Sequence, residues 1–268
     1  MLDNVLVPSD LKAAFDALAS SRSSALLSGG TLLMPEINTK AGVLDTLVSL
    51  RKLSLSGITV EGCRATIGAT TTLDAFGRDP RLAVLSNVIE SIASPPIRNV
   101  ATVGGNLFTA NGGDLAVSLM ALDAEAEVAS ENGTRRTSVA EIVSKGVGHE
   151  EIATRVTFDI PDRNSWFFTK AMRRASNSGA IVTIAAHLTI EDGLVSTVRL
   201  VLGGVAPRPV RALTVEKALI GKPLDAEHVT AAAAAFEEDT ELYSDAIASA
   251  WYRARVIPVH IRRALTGA

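Results

Sequence analysis

Cysteine is almost missing from this sequence. Cys63 is the only one in 268 residues, so no disulfide and no cysteine-ligated zinc or iron–sulfur cluster can form within the chain. Histidine is sparse too. His149, His187, His228 and His260 each stand more than 30 residues from the next, which leaves no short-spaced ligand pair and reads as four surface or core side chains. A metal site in this polypeptide is not expected. Aromatic residues make up 4% of the chain, too few for base-stacking platforms. The formal net charge of −3 gives no basic footprint for nucleic acid. No uninterrupted apolar run approaches the roughly 20 residues of a membrane span. The opening MLDNVLVPSD lacks a basic region followed by an apolar core, so a cytoplasmic protein without a membrane span is expected. What remains, 47% hydrophobic and 21% charged residues, is ordinary globular composition. The length suggests about two domains with a sizeable core.

Glycine is present in a pattern that composition alone does not convey. Ser94–Asp114 reads SPPIRNVATVGGNLFTANGGD. Pro95 and Pro96 have no amide hydrogen and are expected to exclude regular structure at their own positions. Gly104 and Gly105 permit backbone angles that other residues avoid and place no side chain in the way of a ligand. Consecutive amide hydrogens in such a loop can converge on an anion. A tight structural turn is the alternative reading of one Gly-Gly pair. A second loop, Ala25–Asn38, reads ALLSGGTLLMPEIN. Two Gly-Gly loops, each beside a small hydroxylated residue and each entered from an apolar run, suggest one extended diphosphate ligand. The Ala25–Asn38 loop lacks the Gly-Lys-Ser/Thr of a P-loop and the three-glycine spacing of a Rossmann fingerprint.

Along the chain, Leu11, Ala14, Phe15 and Leu18 form a helical stripe with Ser9 as expected N-cap and Asp10 in the first turn. Ser9-x-x-Lys12 lacks the companion motifs of penicillin-binding enzymes, so capping explains it. Strands are expected at 58–61 and 64–68 around Gly62-Cys63, and at 124–130 and 134–137 around Glu131-Asn132-Gly133. A long helix is expected over 81–93, with Leu82, Leu85, Val88, Ile89 and Ile92 on its apolar side. Asp114 is expected to cap an apolar helix. After a strand over 151–160, Pro161-Asp162-Arg163-Asn164 reads as a domain boundary. Beyond it lie three expected strands (166–174, 180–190 and 194–203) and three helices (212–220, 226–238 and 246–265), an α+β layer.

Taken with the two loops, these features resemble the FAD-binding (medium) subunit of the molybdenum hydroxylases, the xanthine dehydrogenase and carbon monoxide dehydrogenase type. That family pairs an Ala/Ser-Gly-Gly-Thr loop with IRN-x-A-T-x-G-G-N, and both stand here in order. The terminal Trp-Tyr-Arg…Arg-Arg-Ala-Leu at 251–265 also matches. The sequence departs from the family pattern at 36–50, at Asn111-Gly112-Gly113 and at 176–179. In the last stretch members often have Asp and then a bulky residue.

The resemblance implies an α+β fold. A two-lobed FAD-binding domain of the vanillyl-alcohol-oxidase/PCMH type would occupy 1–161, with lobes of about 1–57 and 58–161. A small C-terminal α+β domain, a three-stranded antiparallel sheet plus helices, would occupy 162–268. It implies that Ser28, Gly29, Gly30, Thr31 and Leu32, with Leu27 alongside, hold the FAD diphosphate. Thr102, Val103, Gly104, Gly105 and Asn106 would form the second contact loop. Asp114 matches an aspartate that contacts the cofactor, Ile152 an apolar residue near the flavin or adenine, and Lys170 a lysine near the isoalloxazine. For Lys170, a solvated strand charge is the reading from sequence alone. The implied function is electron relay. A molybdenum large subunit would oxidise substrate, an iron–sulfur small subunit would carry the electrons, and non-covalent FAD on this chain would pass them to NAD, a quinone or oxygen. The molybdenum cofactor and the clusters would lie on the partners of a heterotrimer, whose dimerisation is left open. Two alternatives stand beside it: a free-standing FAD-dependent reductase, similar to the enolpyruvyl-sugar reductase of cell-wall synthesis, and a non-enzymatic subunit that has lost FAD.

Overall fold

The computed structural model describes residues 2–21, 23–39, 44–109, 112–174 and 177–267; Asn111 and Ser176, in two of the divergent stretches, lie outside them. Three sheets organise the chain. The first is parallel, with β1 (Asn4–Leu6), β2 (Ser24–Leu27) and β3 (Thr46–Ser49) in the order β1-β3-β2. Helix Leu11–Ala19 crosses over it and buries Ala14, Phe15 and Leu18, the stripe expected from their spacing. Its cap is Asp10 rather than Ser9. Asp10 is the last extended residue, and its carboxylate accepts the Ala13 amide at 2.8 Å, a charge-assisted bond at the positive end of the helix.

The second sheet holds β4 (Ile58–Glu61), β5 (Arg64–Gly68), β6 (Glu125–Ser130), β7 (Gly133–Ser138) and β8 (Ile152–Asp159), all antiparallel, in the order β4-β5-β8-β6-β7. Its core is filled by Phe76, Leu85, Val88, Leu115 and Phe158. The long helix expected over 81–93 is broken. Asp79 caps a Pro80-led 3-10 turn, Pro80–Leu85, and a short α-helix, Ser86–Glu90, follows. Leu82, Leu85, Val88 and Ile89 are buried all the same, because a 3-10 turn still returns every third side chain to one face.

The third sheet is antiparallel, with β9 (Trp166–Met172), β10 (Ala180–Glu191), β11 (Leu194–Gly203) and β12 (Val210–Arg211) in the order β12-β11-β10-β9. The two-residue β12 makes it four-stranded where three strands were expected; a pairing that short leaves no periodic signal. Asp192 (φ 51°) and Gly193 (φ 78°) make the β10–β11 turn, the geometry that a two-residue hairpin requires. Val182, Ile184, Ala186 and Leu188 of β10 pack under the C-terminal helices, whereas Ala185 joins the core around helix Asp114–Ala121. Burial on both faces explains why β10 reads as a continuous apolar run. The last helix begins at Ala250, capped by Ser249, and runs to Thr266 with Pro258 inside it.

Candidate functional site

The two glycine loops meet. Ser28 Oγ and Thr102 Oγ1 share a hydrogen bond of 2.9 Å, although 74 residues separate them. Gly29 makes this approach possible, since a Cβ there would run into the Val100 carbonyl oxygen. Gly30, at φ 68°, turns the chain out of the loop. The second loop is stapled to the end of β5 through Val103 N to Thr71 O (2.9 Å), Gly104 N to Ala69 O (2.8 Å) and Leu73 N to Ala101 O (2.8 Å).

Two expectations about this loop need correction. Gly104 and Gly105 are not in a left-handed conformation: both lie inside a short helix, Val103–Leu107, capped by Thr102. What Gly104 supplies is closeness, because a Cβ there would stand 2.9 Å from both Cβ and O of Ala69. Pro95 and Pro96 do enter regular structure, occupying the first positions of the one-turn helix Pro95–Arg98. A missing amide hydrogen costs nothing there, since those donors have no intrahelical partner.

Between the loops and the third sheet lies a cleft of about 660 Å³, within the usual range of ligand pockets. It is lined by Ser28, Gly29, Gly30, Thr31 and Leu32 and by Thr102, Gly104, Gly105 and Asn106. Ile152 lines it too, packed with Leu18, Leu26 and Leu50. Asp114 and Lys170 also line the cleft. Leu27 and Val103 are outside the lining. Val103 is buried in the core beneath the loop, and from β2 it is Ser24, Ala25 and Leu26 that line the cleft. Asn106 turns its Oδ1 to the Ala116 amide at 3.1 Å, tying the loop to the helix that follows. That helix is not capped by Asp114: Gly113 is the N-cap, and Asp114 is in the first turn.

That placement frees the Asp114 carboxylate. One oxygen accepts Lys170 Nζ at 2.7 Å, the other Thr183 Oγ1 at 2.6 Å. Lys170 also donates to the Ser91 carbonyl at 2.9 Å. Lys170 and Asp114 side chains are 7% and 13% exposed, so Lys170 is no solvated strand charge. Thr183 and Lys170 are direct partners across β10 and β9, which aims both at one carboxylate. A buried pair of this kind requires its remaining hydrogen bonds to be satisfied, and Thr183 and Ser91 provide them.

His149, read from sequence as structural, also lines the cleft. Its Nε2 lies 3.0 Å from the Ser21 carbonyl oxygen and 3.2 Å from Ser24 Oγ. Beside it, Glu151 accepts both Arg135 nitrogens (2.9 and 2.8 Å) and the Gly148 amide (2.8 Å). Arg135 foremost, then the Gly148 amide, outweigh the upward pull of burial and hold the Glu151 carboxyl down to about 2. A lowered folded pKa contributes stability that is fully present above the ordinary value of 4.5 and is lost as pH falls toward 2. Glu151→Gln is therefore expected to flatten the acid-unfolding curve between these values, measured as unfolding midpoint against pH. An unchanged slope would show that the pair contributes nothing.

Among the described residues, no three His, Cys, Asp or Glu side chains gather as a metal site, and no helix is long and apolar enough to cross a membrane. The cleft offers three kinds of surface: an apolar group around Ile152, the hydroxyl pair with exposed Gly105, and a buried ion pair.

Both halves of the chain match known protein families. Residues 2–160 match the family profile described as the FAD binding domain in molybdopterin dehydrogenase. Residues 166–268 match the CO dehydrogenase flavoprotein C-terminal domain. The carbon monoxide dehydrogenase medium chain of Afipia carboxidovorans is 30% identical over 89% of this chain and 86% of its own length. The xanthine dehydrogenase FAD-binding subunit of Escherichia coli O157:H7 is 30% identical over 94% and 89%. Among solved structures, carbon monoxide dehydrogenase from Hydrogenophaga pseudoflava lacking the Mo-pyranopterin moiety superposes with a TM-score of 0.93 at 25% identity, covering 99% of this chain and 96% of that one.

Proposed function

Because the chain belongs to the family of FAD-binding medium subunits of the molybdenum hydroxylases, we propose that the cleft between its two glycine loops is where FAD sits. The chain is an oxidoreductase subunit of a multi-subunit enzyme, carrying the FAD-binding domain in an electron-transfer chain. When bound, FAD supplies the chemistry of taking up electrons and releasing them; the protein binds, orients and shields it. The observation that carries the reading is the Ser28–Thr102 junction, which lines one cleft with the Lys170–Asp114 pair.

In this reading the segment from Ser28 to Leu32 and the Thr102–Asn106 loop hold the diphosphate, with Gly105 leaving room for it. Leu26, Leu50 and Ile152 form the adenine slot. Lys170, its ammonium fixed by Asp114 and Ser91, would stand beside the flavin ring, where a cation would favour negative charge. Asp114 and Thr183 position the lysine. A cation already desolvated and oriented needs no rearrangement at the moment charge arrives. The partners we infer are a cysteine-rich iron–sulfur small subunit and a molybdenum large subunit, since the lone exposed Cys63 cannot ligate a cluster. The expected setting is the cytoplasm.

FAD is expected to bind non-covalently. Neither loop contains His or Cys, and Nε2 of His149, which does line the cleft, is engaged by Ser21 and Ser24. The full chain, loaded with FAD and precipitated with acid, should release the yellow colour to the supernatant. Colour kept in the pellet would refute a non-covalent site and point to His149. A chain that takes up no FAD would overturn the placement of the site.

A further inference from the structure

One buried side chain of the last helix has no part in this scheme. Arg253 is 0% exposed, yet all three guanidinium nitrogens are engaged. Nε donates to the Ile181 carbonyl at 3.1 Å. One terminal nitrogen donates to the carbonyls of Tyr243 (2.8 Å) and Ala248 (2.7 Å). The other donates to both carboxylate oxygens of Asp245 at 3.0 Å, and the group lies 4.6 Å from the Tyr243 ring centroid. Full pairing offsets the cost of burying the charge. The arginine thereby joins two segments far apart in sequence, the start of β10 and residues 243–248.

The second segment is held from inside as well. Asp245 Oδ1 accepts the Ile247 and Ala248 amides, each at 2.9 Å. Burial raises the Asp245 carboxyl, but those amides and Arg253 outweigh it and leave it below the usual carboxylate range. Arg173 adds a bond of 3.3 Å to the Ala246 carbonyl. What is held this way faces the cleft: Tyr243, Asp245 and Ile247 line it together with Gly179 and Ala180. A Cβ on Gly179 would run into Ile247 Cδ1, so Ile247 occupies the space any side chain at 179 would need. Thr183, which shares Asp114 with Lys170, lies a few residues along the same strand. The wall and the ion pair therefore border the same end of the cleft.

We propose that Arg253 is a positioning residue: by pinning residues 243–248 to the start of β10, it holds Tyr243 and Ile247 as a fixed wall that shields the flavin end of the cleft from water. The inference rests on the FAD reading above, with the ring system at the Lys170 end. Arg253→Lys keeps the charge but loses the fork that reaches Ile181, Tyr243, Ala248 and Asp245 together. Asp245→Ala cuts the same clamp from its partly exposed side and carries the test if the lysine variant fails to fold.

The experiment reads the bound flavin of the full FAD-loaded chain, through iodide quenching of its fluorescence and the vibrational structure of its long-wavelength absorption band. Both are taken per bound flavin, so partial occupancy does not enter. In the folded variants the quenching constant is expected to rise about threefold and the band to lose its shoulder, as expected when an excluded-water site opens. A purely structural role would lower the melting temperature and leave both spectra as in the unchanged protein, and that result overturns the proposal. Failure of the unchanged protein to bind FAD would instead overturn the reading beneath it. The two failures are thus distinguishable.

Discussion

Replacing Lys170 by Met is expected to destabilise the protein by about 3 kcal/mol or more and to weaken FAD binding at least tenfold. The stability loss does not come from the missing attraction alone. The methionine leaves Asp114, 13% exposed, as a carboxylate held by Thr183 with no countercharge, and an uncompensated buried charge is the costly species. Combining Lys170→Met with Asp114→Asn removes that charge while keeping an acceptor for Thr183 Oγ1. The double variant is expected to recover more than half of the lost stability, read as the urea midpoint of the FAD-free protein. Its FAD affinity should stay low, because the cation at the ring end is still missing. Strict additivity of the two single changes would show that the pair is not energetically coupled. Recovery of affinity along with stability would show that Lys170 serves the fold alone.

The same pair shows why the sequence was readable in some places and opaque in others. The glycine loops are local patterns, and Ser-Gly-Gly-Thr and IRN-x-A-T-x-G-G-N mark themselves without reference to anything distant. The environment of Lys170 is not local. It depends on Asp114, 56 residues away, and on a β9–β10 register that puts Thr183 opposite the lysine. Alternation along Trp166–Met172 puts Lys170 on the face of Trp166 and Phe168, which pack on the core, but it names no partner for the charge. The helix expected from 246 begins only at Ala250, and residues 243–248 are held instead by bonds from Arg253, which stands further along the chain. The partners of His149 are out of local reach for a similar reason, since Ser21 and Ser24 lie more than 120 residues back in the chain. Where the reading erred locally, at Ser9, Pro95 and the helix over 81–93, the apolar stripes were right. The competing choice was between neighbouring caps or between α and 3-10 turns, which differ by small energies.

The paired glycines invite a sharper experiment, because the structure separates their roles. Gly105 is exposed, and a Cβ there would meet only Thr102 Oγ1, at 3.0 Å. Gly104 is buried, and a Cβ there would meet both the side chain and the carbonyl oxygen of Ala69 at 2.9 Å. Backbone cannot retreat as a flexible side chain can, so Gly104→Val is expected to disturb the packing of the loop on β5 by about 2 kcal/mol or more. Its loss of FAD would follow from the damaged fold. Gly105→Val projects its extra atoms toward the cleft instead, and by helix propensity valine costs no more than glycine in this short helix. It should keep a melting temperature within about 5 °C of the unchanged protein while binding FAD at least a hundredfold more weakly, about 2.7 kcal/mol. Calorimetric titration of FAD into both purified variants, alongside thermal melts of the FAD-free proteins, gives the comparison. If Gly105→Val binds FAD undiminished, the diphosphate does not pass over Thr102–Gly105. If Gly104→Val melts normally but has lost FAD, the close contact with Ala69 is dispensable and both glycines face the ligand.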